Sequence, residues 1–342
     1  MVEIKAAKDD ENRRLDRILR KLFPDTPLSH IYRLMRQGNI TVNGKKTSAE
    51  SAQLRIMAGD GIAIPDELSA ALKREKKREK ERKEPSVPPR THIRIKDEVH
   101  VIFENNDLLV VNKSAGMPVH GGASQKQKTL TEIVATYLAG TVAPSLSFTP
   151  GPLHRLDQPT SGLIVFSKTL AGARLFTELI KDHTIVKRYL AVVDGCIETP
   201  DLWQDTLVRS PKERKTLAAE LGAGGLGAIR HAETGIEPLA STSAYSLILT
   251  DIRTGRTHQI RAQAALHGHP LAGDRKYGGS VLGTGLLLHA YSLEFPAETG
   301  LPALKAPLPH TFKRFIKKVF KLEDSTTALC GRPLHLLQYM KD

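Results

Sequence analysis

At 342 residues and 40% hydrophobic content, the chain is long enough for two cores, or for one large core with an appendage. Its formal charge of +13 favours a polyanionic partner, while Cys196 and Cys330, far apart and outside any CxxC pair, give no support to a disulfide framework or a thiolate zinc site. No apolar run reaches the roughly 20 residues of a membrane span, so a soluble, unexported protein of a reducing compartment is expected. Residues 1–96 carry 23 Lys and Arg against 14 Asp and Glu, and the remainder 27 against 23, which makes the basic surplus an N-terminal property.

From Arg14 onward, Leu15, Ile18, Leu19 and Leu22 recur at helical spacing, Pro24 and Pro27 interrupt the pattern, and Ser29 is placed to cap a second helix carrying Ile31, Leu34 and Met35. Gly38 is placed to end that helix. Ile40–Val42 then reads as a strand running into an Asn43-Gly44 hairpin turn, and LRIMAGDGIAI alternates like strand about a turn at Gly59 to Gly61. Residues 1–66 are thus expected to form a helix-helix-hairpin module. Residues 67–96, mixed-charge and then Pro-rich, have almost nothing to bury and read as a linker.

A hairpin around Asn105 to Asp107 opens the second domain, expected over 97–322, and a glycine-rich SAGMPVHGG loop follows it. Helical patterns at Leu130–Leu138, Leu170–Ile180 and Ile260–His267 alternate with strand-like runs at Leu163–Phe166, Tyr189–Val193 and Ala244–Leu249. Strands outnumber helices and most can be joined by hairpins, which predicts an α+β fold with a mainly antiparallel sheet. The glycine- and alanine-rich stretch Leu221–Ser241 reads as a loop. In HTFKRFIKKVFKL the apolar residues Phe312, Phe315, Ile316, Val319 and Phe320 share one helical face, expected to pack on its own domain rather than on a membrane. The tail 323–342 has no reading.

Four polar segments sit at the edges of apolar runs: His154–Gly162, Lys187–Val192 (KRYLAV), Arg253–Arg261 (RTGRTHQIR) and Leu286–Tyr291 (LLLHAY). Strand ends and adjoining loops are where a rigid scaffold presents side chains to ligands. Asp157 stands in a polar turn before the strand Leu163–Phe166, a position suited to a nucleophile or base and equally to a turn residue. Tyr189 could be a core aromatic and Arg261 a surface cation. His154, His258, His267, His269 and His289 show no metal-ligand spacing, so hydrogen-bonding roles are expected for most of them. Ser161 lies near Asp157, but no GxSxG elbow supports a hydrolase, and no Walker or dinucleotide loop supports a nucleotide cofactor.

Taken together, HRLDxxTSGLxxxxK, KxYLAxV, TGRTHQIRxQ, GHPLxGDxxYG and LHAxxL, in this order over roughly residues 99–320, resemble the RluA-type pseudouridine synthases. The module from Arg14 to Gly44, with its RLDRxL, S-x-I-x-R-x-x-R-x-G and V-N-G order, resembles the alpha-L RNA-binding domain first known from small-subunit ribosomal protein four. With VHGG at Val119–Gly122, the resemblance is to the branch modifying several uridines of large-subunit ribosomal RNA. One departure stands out: many members have Arg-Asp after the catalytic aspartate, where this chain has Gln158-Pro159.

The resemblance implies a cytoplasmic, monomeric isomerase that turns uridine into pseudouridine without metal or other cofactor. It implies Asp157 as the essential carboxylate, attacking the ribose C1′ or taking the C2′ proton to give a glycal; both routes stay open. By the same resemblance Arg261 pairs with Asp157, Tyr189 stacks on the target base, Leu288 packs beneath it, and Arg155 fills the stack vacated by the flipped nucleotide. Arg14, Arg17, Arg33, Arg36 and Lys45 are expected to hold RNA phosphates. The rival readings are a catalytically silent RNA-binding or ribosome-assembly factor and an RNA uracil glycosylase.

Overall fold

A computed structural model describes residues 1–68, 100–121, 127–142, 145–210, 215–218 and 229–321. Most of the expected linker, the whole expected tail and residues 221–228 of the expected loop lie outside these residues. Among the described residues the chain forms two compact units, one taking Met1–Ile95, Ala135–Gly151 and Ser167–Arg174, the other Lys96–Val134, Pro152–Phe166 and Leu175–Asp342.

In the first unit, β1 (Val2–Lys5), β2 (Arg13–Arg14), α1 (Leu15–Leu22), α2 (Leu28–Arg36), β3 (Thr41–Val42), β4 (Lys45–Lys46), β5 (Arg55–Ile56) and β6 (Gly61–Ile64) follow in chain order. The apolar positions of both helices meet in one core: Leu15, Ile18, Leu19, Ile31, Leu34 and Met35 are buried with Ile40, Ile56, Ile62 and Ile64. Helix α2 starts one residue before the expected Ser29 cap, because Pro27, with its fixed φ and no N–H to satisfy, takes the N-cap place without a side-chain bond. Its end is as expected. Gly38 adopts φ 70°, its N–H bonds to the Met35 carbonyl, and Asn39 N–H bonds to that of Leu34, the paired bonds of a Schellman motif. Asn43 and Gly44 both have positive φ, as a two-residue hairpin turn requires.

One carboxylate ties this unit together. Asp10, fully buried, accepts bonds from Ala7 N (2.9 Å), Ser145 Oγ (2.8 Å), Leu146 N (2.9 Å), Ser147 N (2.9 Å) and Ser147 Oγ (2.6 Å). Arg13 Nη1 adds bonds to the Ser147 carbonyl (2.8 Å) and hydroxyl (3.0 Å).

The second unit is built on a sheet of β7 (His100–Glu104), β8 (Leu108–Lys113), β9 (Gly151–Pro152), β10 (Ser161–Ser167), β11 (Val186–Asp194), β12 (Asp201–Ser210), β13 (Lys215–Ala218), β14 (Arg230–Ser241), β15 (Tyr245–Ile252), β16 (Leu288–Glu294) and β17 (Leu304–Lys305). Its main order is β13-β12-β14-β15-β11-β16-β10-β8-β7. Pairing is antiparallel in β7–β8, β12–β13, β12–β14, β14–β15, β11–β15 and β11–β16, and parallel in β10–β16. The structure is therefore α+β and mainly antiparallel. Its own helices are α5 (Gln259–Leu266) and α6 (His310–Phe320), while α3 (Leu130–Leu138) and α4 (Leu170–Lys181) are divided between the two units.

Every residue of β10 is buried, which explains why its sequence runs apolar instead of alternating. Strand β11 shows the two-sided core directly. Leu190 and Val192 face a cluster with Leu247, Leu308 and the α6 residues Phe312, Ile316 and Phe320, whereas Ala191 and Val193 face one with Trp203, Ile248 and the α5 residues Ile260 and Ala264. The apolar face of α6 thus packs on its own unit, as expected. The loop reading of Leu221–Ser241 is overturned for residues 230–241, which form β14 and pair with β12 and β15.

Candidate active site

Strand register assembles the site. In the parallel pair of β10 and β16, Ser161 faces His289, which sets the Asp157 turn beside Leu288 at the start of β16. Here Gly162 adopts φ 112°, and a Cβ on it would lie 2.2 Å from the Ala290 carbonyl oxygen, so only glycine lets the two strands approach this closely. On the other side of β16, β11 pairs Leu190 with His289 and Tyr189 with Ala290, with a register shift between Arg188 and Tyr189. The residue skipped at that shift is Tyr291 of β16, so the bulge lies on β16, while β11 keeps an unbroken register against β15. Tyr189 lines the same cavity as the turn.

That cavity, of about 300 Å³, is lined by Arg155, Asp157, Tyr189, Arg261 and Leu288, with Lys187, His258 and the apolar Leu156, Ile180, Ile252 and Ile260. All five residues expected around the substrate are therefore brought together. Arg155 is exposed, Leu288 is buried, and Asp157 and Tyr189 are partly exposed. Burial first, and then the negative charge of Asp157, push the Tyr189 phenol above its ordinary range, so it stays neutral.

Arg261 is buried on α5 and lies between two carboxylates. Its Nη1 donates to Asp157 Oδ2 at 3.0 Å, while Nε and Nη2 donate to Asp274 Oδ2 and Oδ1 at 2.7 and 2.8 Å. The bidentate pair fixes the plane of the guanidinium and so aims Nη1 at Asp157. Burial disfavours the charge, but the bonds and charges of the two carboxylates outweigh it and raise the pKa. The Tyr277 ring lies under the guanidinium, 5.1 Å from its carbon. Tyr277 Oη accepts the Thr216 N–H at 2.8 Å and bonds His258 Nδ1 at 2.9 Å, and His258 Nε2 stands 3.7 Å from Asp157 Oδ2. Burial, opposed by Asp157 and reinforced by Arg261, lowers the His258 pKa to about 4, so this imidazole is neutral near pH 7.

Helix α5 is held by its two glutamines. Gln259 bonds the Glu233 carbonyl and Thr234 on β14, and Gln263, one turn later, bonds the Trp203 carbonyl and Asp205 on β12. The Asp157 turn is held from below. Lys113, buried, donates to the carbonyls of Ser114, Met117 and Gln158 at 2.9 to 3.0 Å, and burial lowers its pKa to about 8. Gln158 also sends its side-chain amide to the Gly116 carbonyl at 3.0 Å, which ties the turn to the neighbouring loop.

Residues 107–266 match the RNA pseudouridylate synthase family, and residues 13–60 match the S4 domain. The chain is 31% identical to ribosomal large subunit pseudouridine synthase D of Neisseria meningitidis serogroup A, over 91% of this chain and 79% of that protein. It is 29% identical to ribosomal large subunit pseudouridine synthase C of Escherichia coli, over 91% and 94% of the two chains. The chain belongs to the RNA pseudouridylate synthase family. The fold of human RNA pseudouridylate synthase domain containing 4 is similar, with a TM-score of 0.53 and 24% identity over 64% of this chain and 92% of that one. By family, then, this protein is an isomerase.

The four other histidines singled out in the sequence of this synthase bond to the scaffold. His289 Nε2 faces the Ala306 carbonyl, which can only accept, so its Nδ1 takes the proton of Ser161 Oγ at 2.8 Å. Ser161, itself buried, is thereby committed to the sheet. His154 accepts the Val165 N–H, His267 meets Asp205, and His269 bonds the Asp194 carbonyl. Of the residues expected to hold phosphate, Arg17, Arg33, Arg36 and Lys45 are exposed, whereas Arg14 sends Nε and Nη2 to Asp16 at 3.1 and 2.7 Å. Asp274, Tyr277, Lys113 and Lys187 had no role assigned from sequence, and His258 only the hydrogen-bonding role expected for most of the histidines. Asp274 and Tyr277 stand inside the GHPLxGDxxYG block, the one signal that could have singled them out.

Proposed function

We propose that the protein converts uridine to pseudouridine in large-subunit ribosomal RNA in the cytoplasm, with Asp157 as the essential carboxylate. The observation that carries this reading is the arrangement in which Arg261, fixed by Asp274, holds Asp157 at the mouth of a cavity lined by Tyr189 and Leu288. The named ribosomal large subunit synthases with which it aligns over nine-tenths of its length support the choice of RNA.

A uridine in a stack or helix cannot reach Asp157, so the nucleotide must flip out, at a cost of a few kcal/mol. Arg155, exposed at the rim, has the planar cation suited to fill the gap. The base then lies between the Tyr189 ring and Leu288. Asp157, oriented by Arg261, attacks C1′ or removes the C2′ proton and the C1′–N1 bond breaks. Uracil turns within the cavity, C5 bonds to C1′ as the Asp157 ester bond breaks or the C2′ proton returns, and C5 then loses its proton while N1 gains one. Apolar Leu156, Ile180, Ile252 and Ile260 exclude the water that would otherwise release free uracil. Domain 1–66, through Arg17, Arg33, Arg36 and Lys45, adds phosphate contacts that raise affinity with little sequence readout. Arg14 contributes by shaping the module through Asp16.

Unmodified large-subunit RNA labelled with tritium at uridine C5 tests the reading. Wild-type protein is expected to release tritium, and Asp157→Asn to bind the RNA while releasing none. Binding without release by the wild type would identify a silent RNA-binding factor, and liberation of free uracil a glycosylase.

A further inference from the structure

The KRYLAV segment supplies Tyr189 to the site, but it also supplies a cation that the mechanism above leaves unused. On β11 side chains alternate between faces, so Lys187 and Tyr189, two residues apart, project to the same side. Both line the 300 Å³ cavity. Lys187 also lines a second cavity of about 460 Å³, whose wall shares Ile180 and Ile252 with the first.

Three other cations at or beside the cavity are engaged. Arg261 spends all three nitrogens on Asp157 and Asp274, Arg256 Nε donates to the His231 carbonyl, and Lys113 is locked on three backbone carbonyls. Arg155 is exposed at the rim. Lys187 is half-buried and, among the described residues, closes no ion pair within 4.0 Å; the charged or titratable groups it senses are Asp251 on β15 and His154 before the turn. A lysine kept partly out of water without a direct carboxylate partner is an arrangement that folding alone does not favour.

The reaction has a matching need. When the C1′–N1 bond breaks, its electron pair leaves with the base, and the charge spreads from N1 onto the two uracil carbonyl oxygens. We propose that Lys187 is a further catalytic residue, whose ammonium donates a hydrogen bond to a carbonyl oxygen of the departing uracil and stabilises it until C5 bonds to C1′. The inference rests on the isomerase reading above and deepens it.

Lys187 keeps its proton throughout, so the step needs no additional acid or oxidant. On either route Asp157 handles the ribose, as an ester at C1′ or as the acceptor of the C2′ proton, and the C5 proton is lost only after the new bond forms. Burial, partly offset by the charge of Asp251, holds the Lys187 pKa below its ordinary value, which makes the ammonium a stronger donor. With Ile180 and Ile252 beside it, the bond forms in a poorly screened space where a preplaced donor is most effective.

The test compares wild type, Lys187→Met and Lys187→Arg in single turnovers at saturating protein, on large-subunit RNA transcribed with uridine or with 5-fluorouridine. The RNA is digested to nucleosides, and loss of uridine or 5-fluorouridine is followed by liquid chromatography with mass spectrometry, because isomerisation leaves the mass unchanged. Lys187→Met keeps the apolar stem and is expected to slow cleavage on uridine RNA about 100-fold, the scale for losing one preorganised donor, with RNA affinity changed less than about threefold. Lys187→Arg should recover part of the loss. Fluorine at C5 withdraws electrons and makes the base a better leaving group, so the Lys187→Met defect should shrink to about tenfold or less on that RNA.

A Lys187→Met rate within about threefold of wild type on uridine RNA overturns the inference while leaving the isomerase reading intact. An equal defect on both RNAs overturns it too, because damage to the scaffold does not depend on the leaving group. Wild-type protein inert on both RNAs would remove the isomerase reading and the inference together.

Discussion

Arg261 lies between two carboxylates, and its value to the site depends on both. The pair of bonds to Asp274 leaves the guanidinium one free edge, and that edge meets Asp157. Asp274→Asn removes one of the two charges and one of the acceptors that fix the plane, so Nη1 can swing away. Because misplacing a catalytic group by about 1 Å can cost about 100-fold, kcat is expected to fall by about that factor with RNA affinity little changed. Single-turnover rates and filter binding would check this, and an unchanged rate would remove Asp274 from the positioning of Asp157. Asp157, Tyr189, Arg261, Leu288 and Arg155 were legible in the sequence because each stands in a recognisable block. Asp274 stands in such a block too, GHPLxGDxxYG, but the block does not tell how the turn 13 residues beyond Arg261 brings a carboxylate back onto the helix.

Elements were readable in proportion to the contrast between their two faces. Helices α1, α2 and α6 have sharply separated faces, and their sequences show it. Strand β14 does not. Its buried positions include Ala232, Thr234 and Ala240, small or polar residues that give little alternation, and Pro238 falls at a register shift in the β14–β15 pairing. Glycine and alanine just before it made the whole stretch read as loop. Similarly, Gln259 and Gln263 give α5 a polar sequence although most of the helix is buried, because β12 and β14 satisfy both amides.

The Asp10 cluster offers a test at this scale. Burial works against its charge, but bonds from Ser147, Leu146, Ala7 and Ser145 outweigh it and lower the pKa in the folded state. A folded pKa below the unfolded value of about 3.9 means that the stabilisation is present above that pH and is lost as pH falls through the folded value. Asp10→Asn is expected to lose about 1–3 kcal/mol at pH 7, since its amide group would face N–H and O–H donors. The gap between the two proteins should narrow below about pH 3.9. Urea titrations at pH 7 and pH 3 would measure it, and an equal gap at both would show that the carboxylate charge contributes nothing.

At the scale of the molecule, the basic surplus of the first 96 residues lets RNA affinity be tested apart from chemistry. Replacing the exposed Arg17, Arg33, Arg36 and Lys45 with alanine should flatten the slope of log K against log salt by about 3, if each cation holds one phosphate. Tritium release at saturating RNA should be unaffected. A salt slope equal to that of the wild type would show that these side chains are not the phosphate contacts. No described helix is long and apolar enough to cross a membrane.

The sequence by itself determined the family, the class of fold, the N-terminal module and the five residues around the cavity. These depend on local order: spacing along a helix, a turn dipeptide, a motif that reads the same wherever the chain goes. Only the tertiary structure decided that Asp274 aims Arg261 at Asp157, that Ser161 is committed to His289, that β14 is a strand, and that Lys187 shares a cavity wall with Tyr189. Each of those depends on a register or a turn angle set by packing many residues away. A shift of one residue in β11 would turn Lys187 and Tyr189 to the opposite face while leaving every motif intact.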